Sequence, residues 1–408
     1  MPKSKTITVF EHEKLTLKSE PKFTSKVFEE LEKYYGTNGT PYFSLIHKGV
    51  KFNQFVGVIQ VGDTSIEVLP KTDRSTPDKS TWRSVLIQML RITSGIEAKA
   101  TSRSNLKLHS NSIFDLYIEL FIKECEKLSH QGLAKKYRKI RENQTALKGR
   151  LHIPGQIREN IIHKERFHVE YSKYDHNHLI NQILKKTLSV LIQIPIRYDL
   201  RSRVKRQLLY FEDIGECVTN ETTFNQIFLN RKTERYSEAL EIARLILLNY
   251  HPDISKGSNH VLALMFDMNQ LWERYITKMM RRHLSNKYTV KAQNSKLFWK
   301  SERVSKRLKP DILLIPKDES NEKIVVDTKW KAPSKFRPSD NDLRQIFAYN
   351  RLFDCKKGVL LYPGAEREVI GQFNTEYGKT CKMQSINVLD QSGNLLTDER
   401  LLSTFLRN

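Results

Sequence analysis

Two apolar runs in the last third of the chain constrain its fold more than any other feature: Lys309-Pro310-Asp311-Ile312-Leu313-Leu314-Ile315 and Ile324-Val325-Val326-Asp327-Thr328-Lys329-Trp330. Each has the Ile, Leu and Val content of a buried strand. Each also carries a carboxylate, whose burial is penalised unless a cation or a strong donor stands beside it. The fold must therefore supply Asp311 and Asp327 with a positive partner. Side chains alternate along a strand, so Asp327 and Lys329 share a face and Thr328 takes the other. Two carboxylates converging from adjacent strands can hold a hard divalent cation through oxygen and leave coordination places for water and a phosphate. Lys329 can orient the attacking water and offset charge in the transition state. The main-chain carbonyl of Thr328 is a further candidate ligand.

The neighbouring segments extend this set. A helix expected over about 341–353 places Gln345 and Tyr349 on one face, while Leu343, Ile346 and Phe347 can pack on the sheet. Gln345 is positioned to reach the metal-bound water or the DNA backbone. On a helix expected from about Met268 to Leu284, Glu273 sits among Leu271, Trp272, Tyr275 and Ile276. It is a candidate metal ligand or water organiser, the alternative being a solvent-facing helix glutamate. A lone D-x-K is common by chance. A Pro-Asp strand, a D-x-K strand and a Q-x-x-x-Y helix in that order are the pattern of a PD-(D/E)xK nuclease.

The charge balance agrees with a polyanionic substrate, since 69 Lys and Arg face 46 Asp and Glu in 408 residues, a net of +23. One basic cluster, Lys300, Arg303, Lys306, Arg307 and Lys309, runs directly into the Asp311 strand and suits tracking of a phosphate backbone. No G-x-x-x-x-G-K-[ST] loop occurs, so any P-loop motor must be another polypeptide. The 4 cysteines form no CxxC, and His176 and His178 lack the neighbours of a metal-nuclease motif and are read as structural. No stretch approaches the roughly 18 to 20 apolar residues that cross a bilayer, and a soluble, cytoplasmic protein with no membrane partner is expected.

The organisation expected is multidomain α+β. Residues 1–105 form a β-rich module with strands at Ile7–Phe10, Phe43–Ile46, Phe52–Val61 and Ser65–Leu69 and a helix from about Thr81 to Ile92. Residues 106–255 are mostly helical, with helices at Ile113–Leu128, Leu179–Ile194 (stopped by Pro195) and Glu234–Leu247, and a strand at Leu147–Ile153. Residues 256–408 form a small α/β core with a mixed sheet, its strands at 288–292, 309–315, 323–330 and 358–362. Asp73–Lys79, Thr101–Ser104 and the stretch from His251 through Pro252, Asp253 and Gly257 to Ser258 read as links.

These residues resemble the McrC family, the nuclease subunit of McrBC-type 5-methylcytosine restriction systems. The similarity rests on Gly49–Ile59 with Ile66-Glu67-Val68-Leu69-Pro70-Lys71, on Leu147-Lys148-Gly149-Arg150 and Asp175–Leu179 with Asn181, and on Phe266–Tyr275 leading to Pro310-Asp311 and Asp327-Thr328-Lys329. The resemblance implies a DNA endonuclease with a restriction-endonuclease-like core that uses Mg2+, with Mn2+ as an alternative. It further implies a McrB-like AAA+ GTPase ring as partner, engaged and stimulated by this subunit through its amino-terminal and middle regions. GTP would be bound by that partner, and the substrate would be double-stranded DNA carrying modified cytosine. The competing expectation is a non-catalytic assembly subunit that activates the GTPase and clamps DNA.

Overall fold

A computed structural model describes residues 5–36, 39–71, 78–93, 113–194, 196–248, 250–251, 261–318, 322–331, 333, 336–374 and 378–402. It divides into two compact units, one of Met1–His109 with Met265–Asn408 and one of Ser110–Leu264. Pro195, Asp73, the link Thr101–Ser104 and the loop residues Pro252, Asp253, Gly257 and Ser258 lie outside the described residues.

The first unit begins with β1 (Lys5–Phe10), β2 (Lys14–Thr16), α1 (Ser25–Tyr35), β3 (Phe43–Ile46), β4 (Gly49–Phe52), β5 (Phe55–Val61), β6 (Thr64–Leu69) and α2 (Lys79–Thr93). β1 runs parallel to β6, and β6 pairs antiparallel with β5. β2, β4 and β3 make a separate antiparallel sheet. The run Phe52–Val61, expected as one strand, breaks at Asn53, whose side chain donates to Pro41 O at 2.8 Å, so its two ends fall in different sheets. Helix α1 was not expected. Its buried Val27, Glu30 and Leu31 share one face, but only two of them are apolar, and the Thr24 side chain caps it by accepting from Val27 N.

The second unit holds α3 (Ile113–His130), β7 (Lys136–Gln144), β8 (Arg150–Leu151), α4 (Ile153–Glu159), β9 (Phe167–Asp175), α5 (Leu179–Gln193), α6 (Tyr198–Leu209), α7 (Glu221–Asn225), α8 (Ser237–Leu248), β10 (Tyr250–His251) and the start of β11 (Val261–Asp267). Its helices bury Phe121, Leu188, Leu191, Val204 and Ala243. The sheet β7-β9-β8 is the surprise of this unit, for β7 reads KYRKIRENQ and lacks the apolar alternation that marks a strand. Its hydrogen bonding is nonetheless regular from Lys136↔Asp175 to Gln144↔Phe167. The strand expected over Leu147–Ile153 shrinks to Arg150–Leu151, because Pro154 opens α4 at its first turn.

The chain re-enters the first unit through the end of β11 and continues as α9 (Met268–His283), β12 (Tyr288–Ala292), β13 (Lys296–Lys300), β14 (Ser305–Leu308), β15 (Ile312–Pro316), β16 (Ile324–Thr328), α10 (Asp340–Phe353), β17 (Lys357–Pro363), β18 (Arg367–Gln372) and β19 (Thr380–Ile386). A six-stranded mixed sheet results, ordered β12-β15-β16-β17-β19-β18, with β16, β17 and β19 parallel and the outer pairs antiparallel. Helix α10 crosses from β16 to β17 and packs Ile346, Tyr349 and Phe353 against Leu313, Val325 and Leu360. The approach is so close that a Cβ on Gly358 would strike Ile346. Among the described residues, no helix is long and apolar enough to cross a membrane.

Trp330, which follows β16, ties the two chain segments of the first unit together. Its ring meets Trp272 of α9 at 5.3 Å and Trp82 of α2 at 6.4 Å between centroids. Its indole N–H donates to Glu11 Oε1 at 2.8 Å.

Candidate active site

Strands β15 and β16 pair antiparallel up to Ile312↔Val326. Carried one step further, that register sets Asp311 opposite Asp327, two like charges that would repel without compensation. They are compensated unequally. Asp311 Oδ2 accepts from the Thr328 backbone N–H at 2.7 Å and from its hydroxyl at 2.9 Å. Thr328, which alternation turns away from Asp327, thus serves the site by fixing the other aspartate.

Asp327 is 1% exposed, and its buried Oδ1 receives no hydrogen bond among the described residues. Lys329 Nζ lies 2.7 Å from Oδ2 and makes an ion pair with it. Burial, then the charge of Asp311, push the Asp327 carboxyl up to about 6, against the pull of Lys329. For Lys329 itself, burial lowers the affinity for its proton, and the aspartates outweigh that and raise it.

Helix α10 holds the lysine from the other side. Lys329 Nζ donates to Gln345 Oε1 at 3.2 Å, Gln345 Nε2 donates to Tyr349 Oη at 2.8 Å, and Tyr349 donates to the Lys309 carbonyl at 3.1 Å. The four-residue spacing of Gln345 and Tyr349 is what makes this relay continuous. Half-buried Glu273, on α9, accepts from Gln293 Nε2, and burial together with Asp311 raises its carboxyl.

A cavity of about 290 Å³ takes in all five candidate side chains, Asp311, Asp327, Lys329, Gln345 and Glu273, along with Thr328. It adds Asn269, Gln293 and Lys309, which the sequence reading did not assign to the pocket. Gln293 gave no periodic or motif signal, and its place follows from a left-handed backbone (φ 51°) and a 2.9 Å hydrogen bond from its N–H to Asp311 O. Among the described residues, no group of three or more His, Cys, Asp or Glu side chains is arranged to hold a metal ion. The cavity's two aspartates, Asp311 and Asp327, offer hard oxygen donors, and neither oxygen of Asp327 receives a hydrogen bond among the described residues.

Fold and pocket together define a multidomain α+β protein with an aspartate–lysine cavity at the end of a mixed sheet. Over residues 50–363 the chain matches the family described as McrBC 5-methylcytosine restriction system component, and it belongs to that family. It is 25% identical over 297 residues to the type IV methyl-directed restriction enzyme EcoKMcrBC of Escherichia coli (strain K12), covering 65% of this chain and 82% of that protein. Its fold is similar to a chain from the refined half-complex of a tetradecameric assembly of Thermococcus gammatolerans McrB AAA+ hexamers with bound McrC. The TM-score is 0.64 at 19% identity, covering 98% of this chain and 100% of that one. A chain of the cryo-EM structure of the T. gammatolerans McrBC complex aligns with a TM-score of 0.47 at 19% identity, over 69% and 88% of the two chains.

Proposed function

We propose that this chain is the McrC-type subunit of a modification-dependent restriction complex, joining a McrB-like AAA+ GTPase ring and hydrolysing DNA phosphodiester bonds in a PD-(D/E)xK pocket. The assembly half of this reading has the broader support, from the family match and from the fold shared with a chain solved among AAA+ hexamers. The lack of a Walker-type loop in the sequence favours the subunit that does not bind GTP. The second unit offers a docking surface for the ring: Ile153, Ile157, Ile161 and Ile162, on α4 and just after it, are 61–84% exposed.

Hydrolysis is carried by one observation, the buried and unsatisfied Asp327 carboxylate facing Asp311 and Lys329 in a cavity. A magnesium ion held by Asp311, Asp327 and the Thr328 carbonyl would polarise the phosphodiester and make a bound water acidic. Thr328 pins Asp311 through its N–H and hydroxyl, so one carboxylate is preorganised. Lys329, steadied by Gln345, can orient the water and stabilise charge on the phosphate. Glu273 stands ready to accept or relay a proton from that water. In the complex, recognition of modified cytosine falls to the partner.

The absence of a three-residue metal cluster among the described residues favours a second reading, an assembly subunit that activates the GTPase and clamps DNA without cutting it. One experiment separates the two. Methylated plasmid is incubated with magnesium, GTP, the AAA+ partner and either the parent chain or Asp327→Ala. We expect cutting to fall by at least about a thousandfold while complex formation and GTP hydrolysis persist. Equal cutting by the variant would remove the chemistry from this pocket and leave the assembly reading.

A further inference from the structure

Strands β12 and β15 are neighbours in the six-stranded sheet, yet the chain between them makes an excursion that the sheet does not need, the two-stranded hairpin β13–β14. It springs from both lips of the cavity, since Gln293 before it and Lys309 after it line the pocket. Its base is fixed. Leu308 packs on the core of the sheet, Lys296 Nζ lies 5.1 Å from the Phe353 ring centroid, and Arg307 donates to Ser295 Oγ at 2.7 Å.

Beyond that base the hairpin presents large apolar side chains to solvent: Leu297 is 46%, Phe298 56%, Trp299 52% and Val304 49% exposed. The pairing slips between Leu297↔Arg307 and Trp299↔Lys306, which makes Phe298 the extra residue of a β-bulge, a device that re-aims side chains beside active sites. Around these rings the segment 296–309 carries Lys296, Lys300, Arg303, Lys306, Arg307 and Lys309 against the one acid Glu302. A second copy of this strongly basic chain would meet that charge unfavourably, whereas a polyanion meets it well. Cations alone would suffice to track phosphates; exposed rings among them call for a partner with π-faces.

We propose that the β13–β14 hairpin is a wedge for duplex DNA. It enters a groove beside the phosphate to be cut, with Phe298 and Trp299 pressed between base pairs and Lys300, Arg303 and Lys306 on the flanking phosphates, so that the duplex is kinked where it meets the pocket. The proposal rests on the reading of the pocket as a site for DNA and adds how the substrate is shaped there.

The test uses the full chain in EDTA, where no cutting occurs, with a duplex carrying 2-aminopurine, read by anisotropy for binding and by emission for unstacking. The parent should bind and raise the emission. Phe298→Ala with Trp299→Ala should bind about tenfold more weakly or worse, lose the emission rise and keep the salt dependence. Lys300→Ala with Lys306→Ala should weaken binding and flatten the salt dependence by about one per lost phosphate contact, while keeping the rise. Phe298→Tyr with Trp299→Phe should restore it. Because the rings are half exposed, circular dichroism and Tm should not move. Parent-like binding and emission in the alanine pair, or no rise with the parent, would overturn the wedge. Plasmid cutting by the parent and by Asp327→Ala tests the nuclease reading in a separate assay, so its failure and failure of the wedge are distinguishable.

Discussion

Asp175 in the second unit and Asp327 in the first both lie in segments that resemble family motifs, and they are treated in opposite ways. Asp175 is gripped by Arg138, whose Nε and Nη2 reach its oxygens at 2.8–3.1 Å, and it accepts from Asn177 N at 3.1 Å. The Arg138 hydrogen bonds hold its carboxyl below the usual range. Its neighbours are bonded within the fold as well: His178 caps α5 by accepting from Ile180 N, and Asn181 Nδ2 donates to the carbonyls of Ala134 and His176, although Asn181 Oδ1 and His176 Nδ1 receive no hydrogen bond among the described residues. Asp327 is buried, carries an oxygen without a hydrogen bond, and has its carboxyl raised. A carboxylate whose bonds close inward explains itself as structure. One that is left open at a cavity costs stability and calls for a ligand.

The largest effect should come from exchanging the two aspartates' fates. Asp327→Asn should abolish cutting by the complex and yet stabilise the metal-free chain. The sign follows from the shift: a folded value near 6 lies above the 3.8 of the free group, so the stability Asp327 contributes is lost as pH rises through that interval. The variant's Tm advantage in EDTA should therefore open above pH 4 and be complete above about pH 6, while the lost contact with Lys329 offsets part of it. Asp175→Asn should do the reverse, lowering stability by up to about 1 kcal/mol while cutting per folded molecule is kept. Thermal melts from pH 4 to 8, paired with plasmid assays, check both. A Tm gain for Asp327→Asn that does not depend on pH would break the comparison.

A smaller effect is expected at Gln345, which touches Lys329 rather than either aspartate. Gln345→Ala should lower kcat about tenfold, with KM for DNA nearly unchanged, because it loosens the lysine without removing it. Gln345→Glu should recover part of the loss by restoring an acceptor. A change confined to KM would assign Gln345 to DNA binding.

The aspartates, Lys329 and Gln345 were legible because each is a polar residue placed against a strong apolar pattern. A carboxylate in a Val/Ile strand is conspicuous, and a four-residue spacing fixes a shared helix face. Glu273 was only half legible, since a helix glutamate between Trp272 and Arg274 reads equally well as solvent-facing; its approach to Asp311 depends on how α9 packs. Gln293 and Asn269 were not legible as pocket residues, and of the hairpin only its basic cluster was, because a left-handed backbone at Gln293 and the packing of α9 put those two side chains there. Strand β7 escaped for a different reason. Its residues are almost all exposed, so no burial pattern is written into KYRKIRENQ, and regular pairing with β9 alone makes it a strand.

Glu11 supplies the sharpest control, because it shares the raised carboxyl of Asp327 without sharing its cavity. It is 4% exposed, and burial first of all lifts its carboxyl to about 7, although the Lys71 N–H at 2.9 Å and the Trp330 indole both donate to Oε1. If a raised value alone marked a reacting group, Glu11 would belong to the site. Its donors instead join β1 to the residue that follows the D-x-K segment, which is a structural task a neutral amide oxygen can also perform. Glu11→Gln should therefore leave cutting per folded molecule unchanged and raise Tm by about 2–4 °C at pH 8. Since 7 lies above the free value of 4.5, Glu11's contribution is lost as pH rises through that range. The gain should accordingly vanish below pH 4.5 and be full above pH 7. Cutting that falls with Glu11→Gln at unchanged Tm would show that the seam at Trp330 carries more than packing, and would move the boundary of the site into the amino-terminal segment.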